Sequence, residues 1–379
     1  MPDPAPLPPS PPLSILNCSS PNCTLANLSA FLAHPDECHA NQSLFVILAV
    51  AYSAVAFLGI TGNMALIVVI WRQRELSNAT TVLIANLSAS DLLMALVCLP
   101  FTFAYTFMDH WAFGGAMCKL NGLTQCTSVS VSIFSLVLIA VERHQLIVRP
   151  RGWRPSVPQA WVGVGLSWGL AVLTALPLLL FTATTDAPLR QLPAVLQEHY
   201  RGKVVCMEQW PSRQFKLAYS STMLLLQYVG PLIFIFICYL KIYVRLRQRK
   251  NVMERIRENK YRSSQTKRIN AMLFSIVVAF AVCWLPLNVF NAVVDWNHEA
   301  AMNCTHDPLF SLCHLTAMCS VCINPVFYGF LNRNFQRDMQ SFRLCKRFSA
   351  REEEYDTVAM STVQTDLSKA SVRFSSAEI

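Results

Sequence analysis

The chain contains seven long apolar stretches separated by short polar segments. A helix that crosses a bilayer needs about 20 mainly apolar residues to cover the roughly 30 Å of hydrocarbon. The third stretch is less apolar than the others because it also contains Ser, Thr and Gln residues. The pattern predicts an all-α membrane protein, a bundle of seven transmembrane helices, with spans near residues 44–71, 80–107, 115–148, 157–181, 215–246, 266–295 and 308–331.

The composition supports membrane burial and argues against a nucleic-acid partner. Hydrophobic residues make up 53% of the chain and charged residues only 14%, whereas globular proteins carry about 25% charged residues. The formal net charge is +9, but the basic residues occur in short clusters between the apolar stretches. A nucleic-acid-binding module would gather them on one folded polar face.

The basic clusters indicate how the helices are oriented. No Lys or Arg precedes Arg72, and basic residues follow the first, third and fifth stretches, at Arg72, at Arg149 and between residues 245 and 268. Cytoplasmic loops are enriched in Lys and Arg, so we expect an extracellular N-terminus and a cytoplasmic C-terminus. The predicted regions are an extracellular tail at 1–43, the seven-helix domain at 44–331, an amphipathic helix at 332–345 and a disordered cytoplasmic tail at 346–379.

The first 43 residues are Pro-rich and polar, and they lack the basic and apolar regions of a cleaved signal peptide. We therefore expect a flexible tail outside the cell. Asn78 matches the glycosylation pattern but lies in the first predicted cytoplasmic loop. The sequons on the predicted outer side, where glycosylation is expected, are Asn17, Asn22, Asn27, Asn41 and Asn303.

Asp91 lies in the middle of the second predicted span. A charge at the bilayer centre costs about 2.5–3.5 kcal/mol on insertion scales, so such a residue indicates a function. Ser132, Ser135 and Asn324 are expected to face Asp91 and to form a polar cavity suited to a sodium ion. The alternative is a packed hydrogen-bonding centre without an ion. We predict no cofactor and no other metal.

Two predicted spans carry a polar stripe on one helical face. In the third span the stripe runs from Gln125 to Arg143, and at 1.5 Å per residue these two residues lie about 27 Å apart. In the sixth span it runs from Trp284 to Asp295. Such helices are suited to linking an event outside the membrane to one inside.

Further polar and aromatic residues collect toward the outer ends of the spans, which predicts an outward-open cavity. The alternative is that these groups only form hydrogen bonds between helices, as membrane bundles do. The residues expected to line the cavity are Tyr105, Gln125, Gln227, Trp284, Asn288, Asn291, Asp295, Phe310 and His314.

Enzymes and transporters fit the sequence less well than a receptor. The segment Gly165–Gly169 matches G-x-S-x-G, but a nucleophile elbow needs a strand-to-helix turn, and this segment lies in an apolar span. Transporters more often show inverted repeats or broken helix pairs, which the sequence lacks. We expect no enzymatic activity and keep a transporter as the alternative from a different class.

Motifs in the spans resemble those of rhodopsin-type (class A) G-protein-coupled receptors. Glu142-Arg143-His144 departs mildly from the usual Asp-Arg-Tyr but keeps the acid–arginine pair. The ordered set is Gly62-Asn63, Leu87-Ser-Ala-Ser-Asp91, Glu142-Arg143-His144, Trp168, Pro231 with Tyr239, Phe280-x-x-Cys283-Trp284-x-Pro286 and Asn324-Pro325-x-x-Tyr328.

Longer stretches resemble the receptors for neuropeptide Y, peptide YY and pancreatic polypeptide. The tail YDTVAMSTVQTDLSKAS resembles the type-one branch, although the motifs do not separate type one from types four, six and eight. A peptide receptor of another class A subfamily is the alternative. The telling stretches are ERHQLIVRPRGWRPS, LQYVGPLIFIFICYLKIY, NKYRSSQTKRIN, VVAFAVCWLPLNVFN and HLTAMCSVCINPVFYGFLNRNFQRD.

The resemblance implies a plasma-membrane receptor for amidated peptides that end in basic and aromatic residues. Asp295 would pair with a ligand arginine, and Trp284 would form the floor of the pocket. Tyr105, Asp109 and Glu208 would contact the peptide at the rim. The remaining pocket residues implied by the family are Gln125, Gln227, Asn291, Phe310 and His314.

Six cysteines lie on the predicted outer side, namely Cys18, Cys23, Cys38, Cys118, Cys206 and Cys304. Six cysteines allow fifteen pairings. The resemblance selects Cys118–Cys206, with Cys38–Cys304 and Cys18–Cys23 as further candidates.

On the inner side the resemblance implies a switch formed by Glu142 and Arg143, together with Tyr239 and Tyr328. Its release would open a site for an inhibitory-class G protein and lower cAMP. Without the other motifs, the position of Arg143 would instead indicate an interfacial arginine that reaches lipid phosphates.

The segment after the seventh span places Phe335, Met339 and Phe342 opposite basic residues, which predicts a short helix on the membrane surface. Cys345 follows it as a palmitoylation candidate. The acidic, Ser/Thr-rich tail is expected to be phosphorylated by receptor kinases and to bind arrestin, unless it is only a solvated tail.

Overall fold

The computed structural model describes residues 42–72, 78–108, 110–190, 200–253, 260–296 and 306–331. Within them, seven helices are long and apolar enough to cross a membrane. The first four spans are Gln42–Arg72, Ala79–Met108, Gly114–Val148 and Val157–Phe181, and the last three are Arg213–Met253, Lys260–Trp296 and His306–Leu331. The predicted seven-helix bundle is confirmed, and the fifth and sixth helices extend several residues beyond the predicted apolar limits.

Several predictions concern residues outside this described part. They are the tail 1–43 apart from its final helical residues, the helix at 332–345, the tail at 346–379, the sequons at Asn17, Asn22, Asn27, Asn41 and Asn303, the rim residue Asp109, Cys345, and the pairings Cys38–Cys304 and Cys18–Cys23.

The bundle exposes large apolar side chains on its outer surface, while its interior buries polar residues as well as apolar ones. Leu166 and Leu180 of the fourth span are 69% and 70% exposed. Asn63, Asp91 and Asn324, in contrast, are among the buried polar residues. A surface this apolar around a polar centre is stable only where hydrocarbon replaces water as the solvent.

Three spans contain a turn that is not α-helical, and each turn precedes a proline. The π-helical turns are Met94–Cys98 and Leu225–Val229, and the 3₁₀ turn is Cys319–Cys322. A proline ring clashes with the carbonyl four residues earlier and leaves it without its usual donor. For Pro100, Pro231 and Pro325 that earlier residue lies inside the irregular turn, so the turn absorbs the clash.

The freed carbonyl in the seventh span is satisfied by another helix. Four residues before Pro325 lies Val321, and its carbonyl oxygen accepts a hydrogen bond of 2.7 Å from the Asn63 side chain of the first span. The same amide donates to the Gly59 carbonyl at 2.9 Å. Gly62 approaches Pro325 so closely that an added Cβ would lie 2.8 Å from its ring. The break therefore docks the seventh span onto the first.

A short hairpin covers the outer end of the bundle. Strands Thr182–Thr185 and Val205–Glu208 pair antiparallel, with Thr184 opposite Cys206. Cys206 forms a disulfide with Cys118, at the start of the third span, across a Cα–Cα distance of 5.7 Å. The predicted pairing Cys118–Cys206 is confirmed, whereas the two strands were not predicted. The hairpin is thereby fixed over the helix that carries the Gln125-to-Arg143 stripe.

We expect Asn63→Ala to lower the free energy of unfolding by about 1–3 kcal/mol, since it leaves the buried Val321 carbonyl without a donor. The change is measured as a lower melting temperature of the purified full-length protein in lipid nanodiscs. Thr61→Val is the matched control, because the exposed Thr61 hydroxyl donates only to Phe57 of its own helix. Equal melting temperatures for Asn63→Ala and Thr61→Val would contradict the assignment.

Candidate ligand cavity and transmembrane polar network

A cavity of about 570 Å³ opens between the outer halves of the third, fifth, sixth and seventh spans, under strand Val205–Glu208. Small-molecule and cofactor pockets commonly enclose about 300–1,000 Å³. Most of the predicted pocket residues lie in its lining, and these are Gln125, Glu208, Gln227, Trp284, Asn288, Asn291, Asp295 and Phe310. Residues far apart in sequence thus meet around one space.

Two further predicted pocket residues, Tyr105 and His314, do not belong to this lining. Tyr105 packs edge-on against Trp111, with ring centroids 5.5 Å apart. His314 is 1% exposed, and its Nδ1 lies 2.9 Å from the Tyr52 hydroxyl of the first span. Its ring stacks on Phe310 at 5.7 Å, so it forms a layer behind a lining residue. A ligand role for Tyr105, His314 or Asp109 stays a prediction.

Asp295 already has a cationic partner within the protein. The Nζ atom of Lys216, in the first turn of the fifth span, lies 2.8 Å from Asp295 Oδ1. Arg213, three residues earlier, donates to the Trp296 carbonyl at 3.0 Å. Lys216 was not singled out from the sequence. In the sequence, Lys216 is distinguished only as a second basic residue on the same helical face as Arg213. No pattern around it links it to Asp295.

Glu208 and Gln227 are also engaged. Trp210 Nε1 donates to Glu208 Oε2 at 2.6 Å, and the Trp210 ring packs against Phe181 at 4.9 Å. Gln227 Nε2 donates to Ser130 Oγ of the third span at 2.5 Å. A ligand that uses these two side chains has to exchange partners with the protein.

Trp284 connects the cavity to the polar centre of the bundle. Its indole N–H donates to Ser320 Oγ at 3.1 Å, and its ring lies 5.9 Å from that of Phe280. Ser320 and Phe280 also line a small cavity of about 10 Å³ beside Asp91. The cavity floor and the Asp91 centre therefore share walls.

Asp91 accepts hydrogen bonds from two other spans. Ser132 Oγ donates to Oδ1 at 3.2 Å and Asn324 Nδ2 donates to Oδ2 at 2.6 Å. Ser135, which was expected to face Asp91, instead accepts from Asn86 at 2.8 Å. Asn86 is turned toward Ser135 and Trp168, whose indole donates to its Oδ1 at 2.8 Å.

The Asp91 centre contains oxygen atoms that are suited to bind a sodium ion. Its carboxylate, the Ser132 hydroxyl and the Asn324 side-chain oxygen are all oxygen ligands, and that Asn324 oxygen is buried without a hydrogen-bond partner in the described residues. A cavity needs about 10–15 Å³ to hold one water molecule, so about 10 Å³ is at the lower limit for one small guest.

At the inner end Glu142 and Arg143 meet a residue of the second span. Glu142 accepts from the Thr80 hydroxyl at 2.5 and 2.6 Å, and Arg143 Nε lies 3.7 Å from Glu142 Oε2. Arg143 also donates to the Thr80 hydroxyl oxygen. Thr80 joins the acid and the arginine, and apart from its place at the start of a span nothing in the sequence pointed to it.

Tyr239 and Tyr328 are buried near the inner ends of the fifth and seventh spans. Within the described part of the chain, neither hydroxyl has a hydrogen-bond partner.

Known proteins resemble the chain over nearly its whole length. The model of the 7 transmembrane receptor (rhodopsin family) matches residues 62–328. Neuropeptide Y receptor type 1 of Xenopus laevis is 54% identical over 359 residues, 94% of this chain and 96% of the relative. Type 6 of Oryctolagus cuniculus is 51% identical over 94% of this chain and 97% of the relative. Type 4 of Rattus norvegicus is 44% identical over 95% and 94%.

Proposed function

The chain belongs to the neuropeptide Y receptor family of rhodopsin-type G-protein-coupled receptors, and on that premise we propose that it binds amidated neuropeptide Y-family peptides at the plasma membrane and activates inhibitory G proteins, which lower cAMP. Members of this family are receptors without enzymatic activity, and the match over residues 62–328 favours a receptor over a transporter.

The outer cavity is the observation that carries the peptide assignment. It combines the Asp295 carboxylate with the amides of Gln125 and Asn291 and the ring of Phe310. A peptide that ends in arginine, an aromatic ring and a carboxamide presents the complementary groups. A guanidinium binds a carboxylate through two parallel hydrogen bonds, which gives direction as well as charge.

The network beneath the cavity supports coupling to the inner face. Trp284 contacts Ser320 and Phe280, which border the Asp91 centre, and the third span continues from Ser132 to Arg143. A peptide and a G protein that favour the same conformer strengthen each other's binding reciprocally. Release of Arg143 from Glu142 and Thr80 would be the inner part of that change.

The proposal is tested on the full-length receptor in cell membranes. We expect neuropeptide Y to stimulate nucleotide exchange on inhibitory G proteins and to lower cAMP in intact cells. Peptide YY and pancreatic polypeptide, compared in competition binding, identify the preferred ligand. Specific binding by none of the three peptides would overturn the proposal.

We expect Asp295→Ala to weaken peptide binding by about 2–5 kcal/mol, much of it from the unpaired ligand charge. The measurement is radioligand competition at equal surface expression. Asp186→Asn is the matched control, since Asp186 pairs with Arg190 at the exposed short helix Ala187–Arg190 and is not in the cavity lining. Unchanged affinity for Asp295→Ala would refute the assignment of Asp295.

We expect Thr80→Val to raise nucleotide exchange without ligand by about two- to tenfold, because it removes the hydroxyl that joins Glu142 to Arg143. Thr80→Ser keeps that hydroxyl and should retain the basal rate of the wild type. The assay is guanine-nucleotide binding in membranes, normalised to receptor number. A basal rate that does not rise in Thr80→Val would contradict an inner lock built on Thr80.

We further propose that Asp91, Ser132 and Asn324 hold a sodium ion when the receptor is inactive. Sodium chloride should then weaken agonist binding several-fold relative to choline chloride at the same ionic strength. Asp91→Asn should abolish the difference between the two salts, because it removes the charge that retains the ion. A sodium effect that persists in Asp91→Asn would place the ion elsewhere.

A further inference from the structure

In the pair Lys216–Asp295, each charge has an unfavourable interaction with the dipole of its own helix. Lys216 lies in the first turn of helix Arg213–Leu224, where the macrodipole favours acids. Asp295 lies in the last turn of helix Lys260–Trp296, where it favours bases. Neither residue stabilises its own helix end, so each depends on a partner from elsewhere.

The pair is also part of the cavity wall. Both residues belong to the lining, and the side chains of Lys216 and Asp295 are 39% and 11% exposed. Asp295 is thus the more desolvated member, and an unpaired carboxylate there is costly. Lys216 has more access to solvent and can leave at lower cost. The ammonium is the exchangeable half of this ion pair.

We propose that Lys216 is a built-in competitor for the cation subsite at Asp295, so that a cationic ligand binds by displacing the Lys216 ammonium. The inference rests on the proposed function, in which Asp295 receives a ligand arginine. The binding free energy contributed by that arginine is then the difference between the free energy of the ligand's ion pair with Asp295 and that of the pair Lys216–Asp295. Lys216 thereby sets how strongly the receptor prefers a cationic ligand over a neutral one.

The chemistry of the two cations explains why an arginine can win this exchange. Lys216 contacts one oxygen of Asp295, with 2.8 Å between Nζ and Oδ1, as expected of a compact ammonium. A guanidinium can engage both carboxylate oxygens at once. A neutral ligand leaves the pair Lys216–Asp295 intact. Its affinity therefore does not depend on displacing the Lys216 ammonium.

The test is a series at position 216 in the full-length receptor. Lys216→Gln removes the competitor, and Lys216→Arg replaces it with a guanidinium that binds Asp295 better. For neuropeptide Y we expect affinity to rise about two- to fivefold in Lys216→Gln, as for loss of a partly exposed ion pair. Affinity should fall below that of the wild type in Lys216→Arg.

Two comparisons isolate the exchange from general charge effects. A neuropeptide Y analogue with citrulline in place of the arginines near its amidated end should gain nothing from Lys216→Gln. In an Asp295→Asn background the order Gln, Lys, Arg should collapse to one affinity. Arg190→Gln removes a charge from an exposed ion pair outside the cavity lining and should leave both peptides unaffected.

Several results would overturn the inference. Equal or reversed affinities across the position 216 series would show that Lys216 does not compete. A gain in Lys216→Gln shared by the citrulline analogue would assign the effect to general electrostatics. If the wild type binds neuropeptide Y but the series is flat, only this inference fails. Absence of any specific peptide binding would instead refute the proposed function.

Discussion

Inside a bilayer the backbone polar groups have to find their partners within the protein, and this constraint underlies the rest of the structure. The hydrocarbon supplies no donors or acceptors, so a freed carbonyl or a buried carboxylate is stabilised only by another helix. Asn63 satisfies the carbonyl of Val321, and Ser132 and Asn324 satisfy Asp91. In lipid, the hydrophobic effect does little to favour one arrangement of the seven spans over another. The polar contacts between the spans therefore determine which arrangement is stable.

The same contacts make the bundle suited to switching. Buried hydrogen bonds are discrete, since a donor is either within reach of its acceptor or not. The hydrogen bond between Trp284 and Ser320 links the wall of the outer cavity to the wall of the small cavity beside Asp91. Glu142, Arg143 and Thr80 form a separate group at the inner end. A change that disturbs the hydrogen bonds of one group can be compensated by a rearrangement in the other group. This is the physical basis of coupling between the outer and inner ends of the bundle.

Peptide binding at such a cavity is an exchange of partners. Glu208 is bonded to Trp210, Gln227 to Ser130, and Asp295 is paired with Lys216. Affinity is consequently a difference between ligand contacts and the internal contacts they replace. A residue such as Lys216 affects affinity without any contact to the ligand, because it stabilises the free receptor.

The sequence by itself determined the seven spans and the motifs that identify the family, and it predicted the orientation of the spans. These features are local, since apolar length and basic clusters are read along one stretch of chain. It also predicted that residues such as Gln125, Asn291 and Asp295 share one cavity, because the polar stripes end at the same side of the membrane. Family resemblance, and not spacing, selected Cys118–Cys206.

Only the tertiary structure decided which residues pair. Lys216 with Asp295, Thr80 with Arg143, and Tyr52 with His314 each join different spans. Ser135 faces Asn86 for the same reason. Helical periodicity gives the face on which a side chain lies but not which neighbouring helix meets that face or at what height. Those two quantities follow from packing of the whole bundle, and they set the internal contacts that a ligand has to displace.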